Sequence, residues 1–109
     1  MASPRTLLIT GCSSGIGYHC AHAMAARGWR VFATARKPDD VERLAGEGLE
    51  ALVLDLDDPA SIHAAVEEVL ARTGGTLDAL FNNGAYGQPG AVEDLSRDAL
   101  RVQFETNVF

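Results

Sequence analysis

Thr10-Gly11-Cys12-Ser13-Ser14-Gly15-Ile16-Gly17 (TGCSSGIG) follows the short apolar run Thr6–Thr10 and opens an alanine-rich helical stretch, Gly15–Arg27. A loop between a buried strand and a helix needs glycine for three reasons. One glycine makes the tight turn, one lets the backbone approach a pyrophosphate, and one lets helix and strand pack closely. The helix start then offers unpaired N–H groups and the positive end of its dipole to an anion. The spacing is G-x-x-x-G-x-G, one residue longer than the G-x-G-x-x-G fingerprint. It is not a Walker A loop, because neither Lys nor Thr follows Gly17. A plain structural turn is the competing reading, and the strand–helix setting disfavours it.

The pattern continues in alternation along the chain. Ile16, Cys20, Ala23 and Met24 recur at helical spacing until Gly28, at the usual place for a helix stop. Arg30–Ala35 reads as a second strand, and Pro38–Ala45 as a short helix with Asp39 and Asp40 in its first turn. Ala51–Leu56 reads as a third strand, with Asp55 at its end. Asp58-Pro59 then signals an N-cap and first helical residue. The helix behind it runs to about Arg72, with Ile62, Ala65, Val66, Val69 and Leu70 on one stripe, before Gly74-Gly75. Leu77–Phe81 reads as a fourth strand, and Ser96 as the cap of a last helix still running at Phe109. Strands alternating with helices predict an α/β fold: a Rossmann-type, doubly wound parallel sheet, here about four strands of a longer one. Residues 1–109 read as the N-terminal part of a single domain.

Charge and composition narrow the function classes. The 109 residues are 47% hydrophobic and 22% charged, ordinary for one folded domain with one core. The net charge of −6 is uneven. Residues 1–37 hold five cations and no acid, and the rest holds four arginines with fifteen carboxylates, giving +5 and −11. An acidic total argues against nucleic-acid or membrane partners, while a basic front end suits a phosphate ligand. No apolar run approaches the roughly 20 residues of a membrane helix. Thr6–Thr10 is too short for a signal peptide. Cys12 and Cys20 match no zinc or C-x-x-C spacing, so reduced thiols in a cytoplasmic protein are expected. His19 and His22 share a helix face near Cys20 without a carboxylate at ligand spacing, so no metal site is expected.

With the loop T-G-x-x-x-G-I-G after the first strand, Asp55 near the end of the third, Asn82-Asn83-Gly84-Ala85 after the fourth and Asn107 in the following helix, the chain resembles the short-chain dehydrogenase/reductase family. The resemblance runs in order over all 109 residues. TGCSSGIG, RKPDDVERL and DLDDPAS look most like the NADP-dependent aldehyde-reductase and retinol- or hydroxysteroid-dehydrogenase-like branch. It implies that Gly11, Ser13, Ser14, Gly15, Ile16 and Gly17 hold the cofactor's pyrophosphate end, and that Asp55 and Leu56 meet its adenine. Asn82 and Gly84 would line its ribose side, with Gly84-Ala85 reversing the family's usual Ala-Gly order. Asn107 matches the active-site asparagine whose backbone carbonyl holds a water in the proton relay. The family also uses a serine and a Tyr-x-x-x-Lys pair. Lys37 is the only lysine here, four residues after Ala33, so no such pair exists in residues 1–109.

NADP is expected over NAD, because Arg36 and Lys37 follow Ala35 where an NAD site wants a carboxylate. The expected reaction is carbonyl–alcohol interconversion by hydride transfer on a small-molecule substrate, in a protein that is a homo-oligomer when complete. Residues 1–109 read as an inactive N-terminal fragment of it. Tyr86 and Pro89 sit where this fold often forms a substrate wall, with a plain surface loop as the alternative. A non-catalytic dinucleotide-binding or sensor module is the competing function. A methyltransferase is disfavoured, since it wants an acid where Ala35-Arg36-Lys37 stands.

Overall fold

The computed structural model describes residues 4–84, 96–99 and 101–102. Asn107, Ala85, Tyr86, Pro89 and Phe109 lie outside the described residues. The elements run β1 (Thr6–Ile9), α1 (Gly15–Ala26), β2 (Arg30–Ala35), α2 (Pro38–Gly46), β3 (Glu50–Val53), α3 (Pro59–Thr73) and β4 (Ala79–Phe81). All strand pairings are parallel, in the order β3-β2-β1-β4. The chain steps outward from β1 to β3 and then returns to the other side of β1. That reversal opens a crevice beyond the carboxyl ends of the central strands, where open α/β sheets bind ligands.

Burial on both faces explains why β1 and β2 read as continuous apolar runs. Leu7, Ile9, Val31, Ala33 and Ala35 pack on one face with Ala21 of α1 and Leu44 of α2. Their neighbours Leu8 and Phe32 point to the other face, against Val69 of α3. This is the period-two alternation of a strand with a core on each side. Phe32, Ile9, Leu44 and Val69 are essentially sealed from solvent, each contributing roughly 1.5–3 kcal/mol by leaving water. Helix α3 starts where expected: Asp58 accepts from the Ala60 amide at 3.1 Å, and Pro59 is its first residue. Residues 97–99 are helical, and Ser96 Oγ accepts from the Ala99 amide at 3.0 Å.

Three strands are shorter than the sequence reading has them, and β1 ends at Ile9 rather than at Thr10. β3 covers Glu50–Val53 rather than residues 51–56, so Asp55 lies beyond the strand instead of ending it. Val53 pairs with Ala35, after which β2 turns into α2. The Leu54 amide takes the last carbonyl, that of Ala35, at 3.0 Å, and no strand remains beside residues 55 and 56. β4 begins at Ala79 rather than at residue 77, because the Asp78 carboxylate instead accepts the Thr6 amide at 2.8 Å.

Candidate functional site

The carboxyl ends of all four strands converge on a cleft of about 510 Å³. Thr10, Gly11 and Ser13 enter it from β1, and Ala35, Arg36 and Lys37 from β2. Leu54–Asp57 enter it from β3, and Gly84 from β4, while Asp40 and Val102 complete the wall. The basic segment that the sequence singled out therefore faces the glycine loop across one opening. Among the described residues, neither Arg36 nor Lys37 takes part in an ion pair, and both are exposed.

The glycines of the loop divide their work. Gly11 sits at φ +70, and a Cβ there would lie 2.9 Å from the Gly84 Cα, so β1 and β4 meet backbone to backbone. Gly17 packs still closer under the loop. Gly15 differs from both: its φ is +66, yet nothing lies within 4 Å of where its Cβ would be. An L side chain is disfavoured there by conformation alone, and the open space is what a cradled group requires. Ser14 is the N-cap of α1 and makes no side-chain cap bond, so the first helical amides keep their donor capacity toward the loop.

Long-range hydrogen bonds hold the loop in place. The Thr10 hydroxyl accepts the Asn83 amide at 3.0 Å and the Gly84 amide at 2.7 Å. The Asn83 side chain donates to the Gly11 carbonyl at 3.1 Å. The Cys12 amide donates to the Thr34 carbonyl at 2.8 Å, and burial pushes the Cys12 thiol up from its ordinary pKa. Cys12 is thus a neutral packing residue behind the loop.

Asp55 reaches the cleft although it has left the strand. Its amide donates to Ser61 Oγ at 2.7 Å, and its Oδ1 accepts the Asp57 amide at 3.0 Å. Leu56 lines the same wall. Asn82 does not line this cleft; it lines a second, apolar one of about 260 Å³ between α3 and β4. Ser14, Gly15, Ile16 and Gly17 lie at the start of α1 rather than in the cleft lining, with Ile16 largely exposed. His22 pairs with Glu47 at 2.8 Å. Hydrogen bonds from His22 and then Tyr18 hold the Glu47 carboxyl below its ordinary range, and the Glu47 bond raises the Tyr18 phenol.

Sequence reasoning missed four contributors. Thr10 enters the sequence reading only as part of a motif, and Asn83 only beside Asn82. Asp40 reads there as a helix-dipole group, and Arg43 carries no assignment. Arg43 Nη2 donates to the Ser13 carbonyl, and its guanidinium stands 5.4 Å over the Tyr18 ring. A threonine directly before the first loop glycine was a usable signal; nothing local marked Arg43.

Among the described residues no helix is long and apolar enough to cross a membrane, and no group of three or more His, Cys, Asp or Glu is placed to hold a metal ion.

The family model described as short chain dehydrogenase matches residues 5–109. The uncharacterized oxidoreductase YbbO of Escherichia coli K12 is 43% identical over 105 residues, covering 96% of this chain and 39% of YbbO. A short-chain dehydrogenase from Streptomyces avermitilis superposes with a TM-score of 0.90 at 38% identity, over 100% of this chain and 41% of that one. The F189W actinorhodin polyketide ketoreductase, solved with NADPH, gives 0.87 at 32% identity, over 95% of this chain and 42% of that one. A 3-ketoacyl-(acyl-carrier-protein) reductase from Brucella melitensis, solved with NADH, gives 0.85 at 31%, over 95% and 44%. The chain therefore spans well under half the length of these relatives.

Proposed function

This chain belongs to the short chain dehydrogenase family, and from that premise we propose that the complete protein is an NADP(H)-dependent oxidoreductase that interconverts a carbonyl and an alcohol. The observation that carries the cofactor choice is the cleft itself. It sets the glycine loop opposite Arg36 and Lys37, and the position that ends β2 is Ala35 rather than an acid. A carboxylate at that point would bond a ribose 2′-hydroxyl and repel a 2′-phosphate; two free cations do the reverse.

When bound, the dinucleotide supplies or accepts the hydride. The residues of this chain hold it. The Gly15 turn and the α1 amides take the pyrophosphate, and Arg36 and Lys37 pair with the 2′-phosphate. The second carboxylate oxygen of Asp55 takes the adenine amino group beside Leu56. Asn107 supplies the backbone carbonyl of the proton relay. Gly84 flanks the nicotinamide-side ribose.

A proton donor for the carbonyl oxygen is still required. Residues 1–109 hold no Tyr-x-x-x-Lys pair, so this reading places the donor downstream, with a serine before it. Residues 1–109 alone are accordingly inactive. A reducing compartment such as the cytoplasm suits Cys12 and Cys20, both free thiols. Assembly into a homo-oligomer belongs to the same reading.

The test is cofactor affinity in the full-length protein, before and after Arg36→Asp. NADPH should bind much more tightly than NADH. The substitution should weaken NADPH by about 2 kcal/mol, roughly thirtyfold, as a charged hydrogen bond is lost. Equal affinity for the two cofactors in the unaltered protein would overturn the NADP assignment.

A further inference from the structure

We propose that the Asp40–Arg43 pair on α2 sets cofactor selectivity, with Arg43 acting as a positioning residue that neutralises Asp40 and keeps the 2′-phosphate end of the cleft cationic. The inference rests on the NADP(H) reading above.

Asp40 lines the same cleft as Arg36 and Lys37, so α2 adds an acid to the wall where the segment leading into it brings two cations. An uncompensated carboxylate beside a phosphate dianion repels it, and one beside a ribose hydroxyl accepts a hydrogen bond from it. Asp40 is therefore the residue through which this site would drift toward NAD. Arg43, one turn further along α2, stands 3.6 Å from Asp40 Oδ1. The pair is only partly screened: the Asp40 side chain is 31% exposed and that of Arg43 is 44%.

Arg43 is also anchored away from the cleft. It donates to the Ser13 carbonyl and stacks over Tyr18, whose hydroxyl bonds Glu47. Ser13, like Asp40, lines the cleft, whereas Arg43 does not. One guanidinium thus grips two wall residues from behind, one on the glycine loop and one on α2. Its removal would release a negative charge beside the phosphate cations.

Dissociation constants for NADPH, NADH, adenosine 2′,5′-bisphosphate and ADP in the full-length protein test this. Arg43→Met, which keeps the packing stem, should weaken NADPH and the 2′,5′-bisphosphate about tenfold and leave NADH and ADP within about twofold. Its effect in turnover should fall on KM for NADPH and not on kcat. Asp40→Asn should tighten NADPH a few-fold, and the double variant should return near the unaltered affinity. Arg43→Lys should recover part of the loss. Equal weakening of all four ligands by Arg43→Met, or a double variant as weak as Arg43→Met alone, would show that Arg43 merely supports the loop. If Arg43→Met does not fold, an unchanged NADPH/NADH ratio in Asp40→Asn decides against the proposal. Failure of the underlying reading looks different: NADPH would not be preferred at all, and Arg36→Asp would change nothing.

Discussion

A Cβ on Gly17 would lie 2.3 Å from the carbonyl oxygen of Gly11, closer than any real side chain approaches backbone. The first turn of α1 is therefore pressed directly onto the turn that leaves β1. The same Cβ would meet Asn83 Nδ2 at 2.6 Å, so the residue that ties β4 to the loop closes the gap from the other side. Gly17→Ala forces the loop and helix apart. It should cost about 3 kcal/mol or more in urea unfolding of the full-length protein.

Gly15→Ala should behave differently. Nothing crowds the missing Cβ, but φ is +66, and that conformation costs an alanine about 1–2 kcal/mol. Stability should fall modestly, while cofactor affinity falls sharply because the methyl group points into open space at the loop. Calorimetry and cofactor titration on one sample separate the two effects. Intact binding in Gly15→Ala would remove Gly15 from the cradle.

The Thr10 hydroxyl accepts two amides of the β4 loop, those of Asn83 and Gly84. Thr10→Val preserves shape but leaves the Gly84 amide without its acceptor, at a cost of about 1–3 kcal/mol. Thr10→Ser keeps the oxygen and should recover most of this. Destabilisation by Ser with none by Val would mean that the methyl group, and not the hydroxyl, matters.

Glu50 receives Arg30 through two hydrogen bonds, at 2.6 and 2.9 Å, and Arg72 approaches it at 3.8 Å. Hydrogen bonding from Arg30 holds its carboxyl below the ordinary value of 4.5. A folded-state pKa below the unfolded one means that the contribution is complete above about 4.5 and is lost as pH falls through the folded value. Unfolding midpoints measured from neutral pH down into acid should therefore separate native protein from Glu50→Gln at neutral pH, and the gap should close at acid pH. A gap independent of pH would contradict the charge-based account.

Leu80 and Phe81 of the edge strand β4 are 53% and 36% exposed, and Val66 and Leu70 of α3 are exposed beside them. Residues 1–109 expressed alone should self-associate, with scattering that rises with concentration. A monomeric, sharply melting 1–109 segment would instead favour a self-contained binding module.

The order of elements was legible in the sequence because its signals are local. Apolar runs of three to six residues, glycine after α1 and α3 and Asp58-Pro59 at the start of α3 all act over a few positions. So did the anion loop, whose glycines answer steric demands made by adjacent residues. The tertiary structure decided what depends on partners distant in the chain. Where β3 stops is set by β2 turning away after Ala35, which moved Asp55 off the strand. That Asn83 rather than Asn82 binds the loop follows from its side chain meeting Gly11, 72 residues earlier. Arg43 sits mid-helix with nothing in its neighbours to mark it, and only the packing of α2 beside α1 brings it to Ser13. Local sterics and periodicity can be read from one stretch of chain. A hydrogen bond between segments brought together by the sheet exists only once the strand order is set.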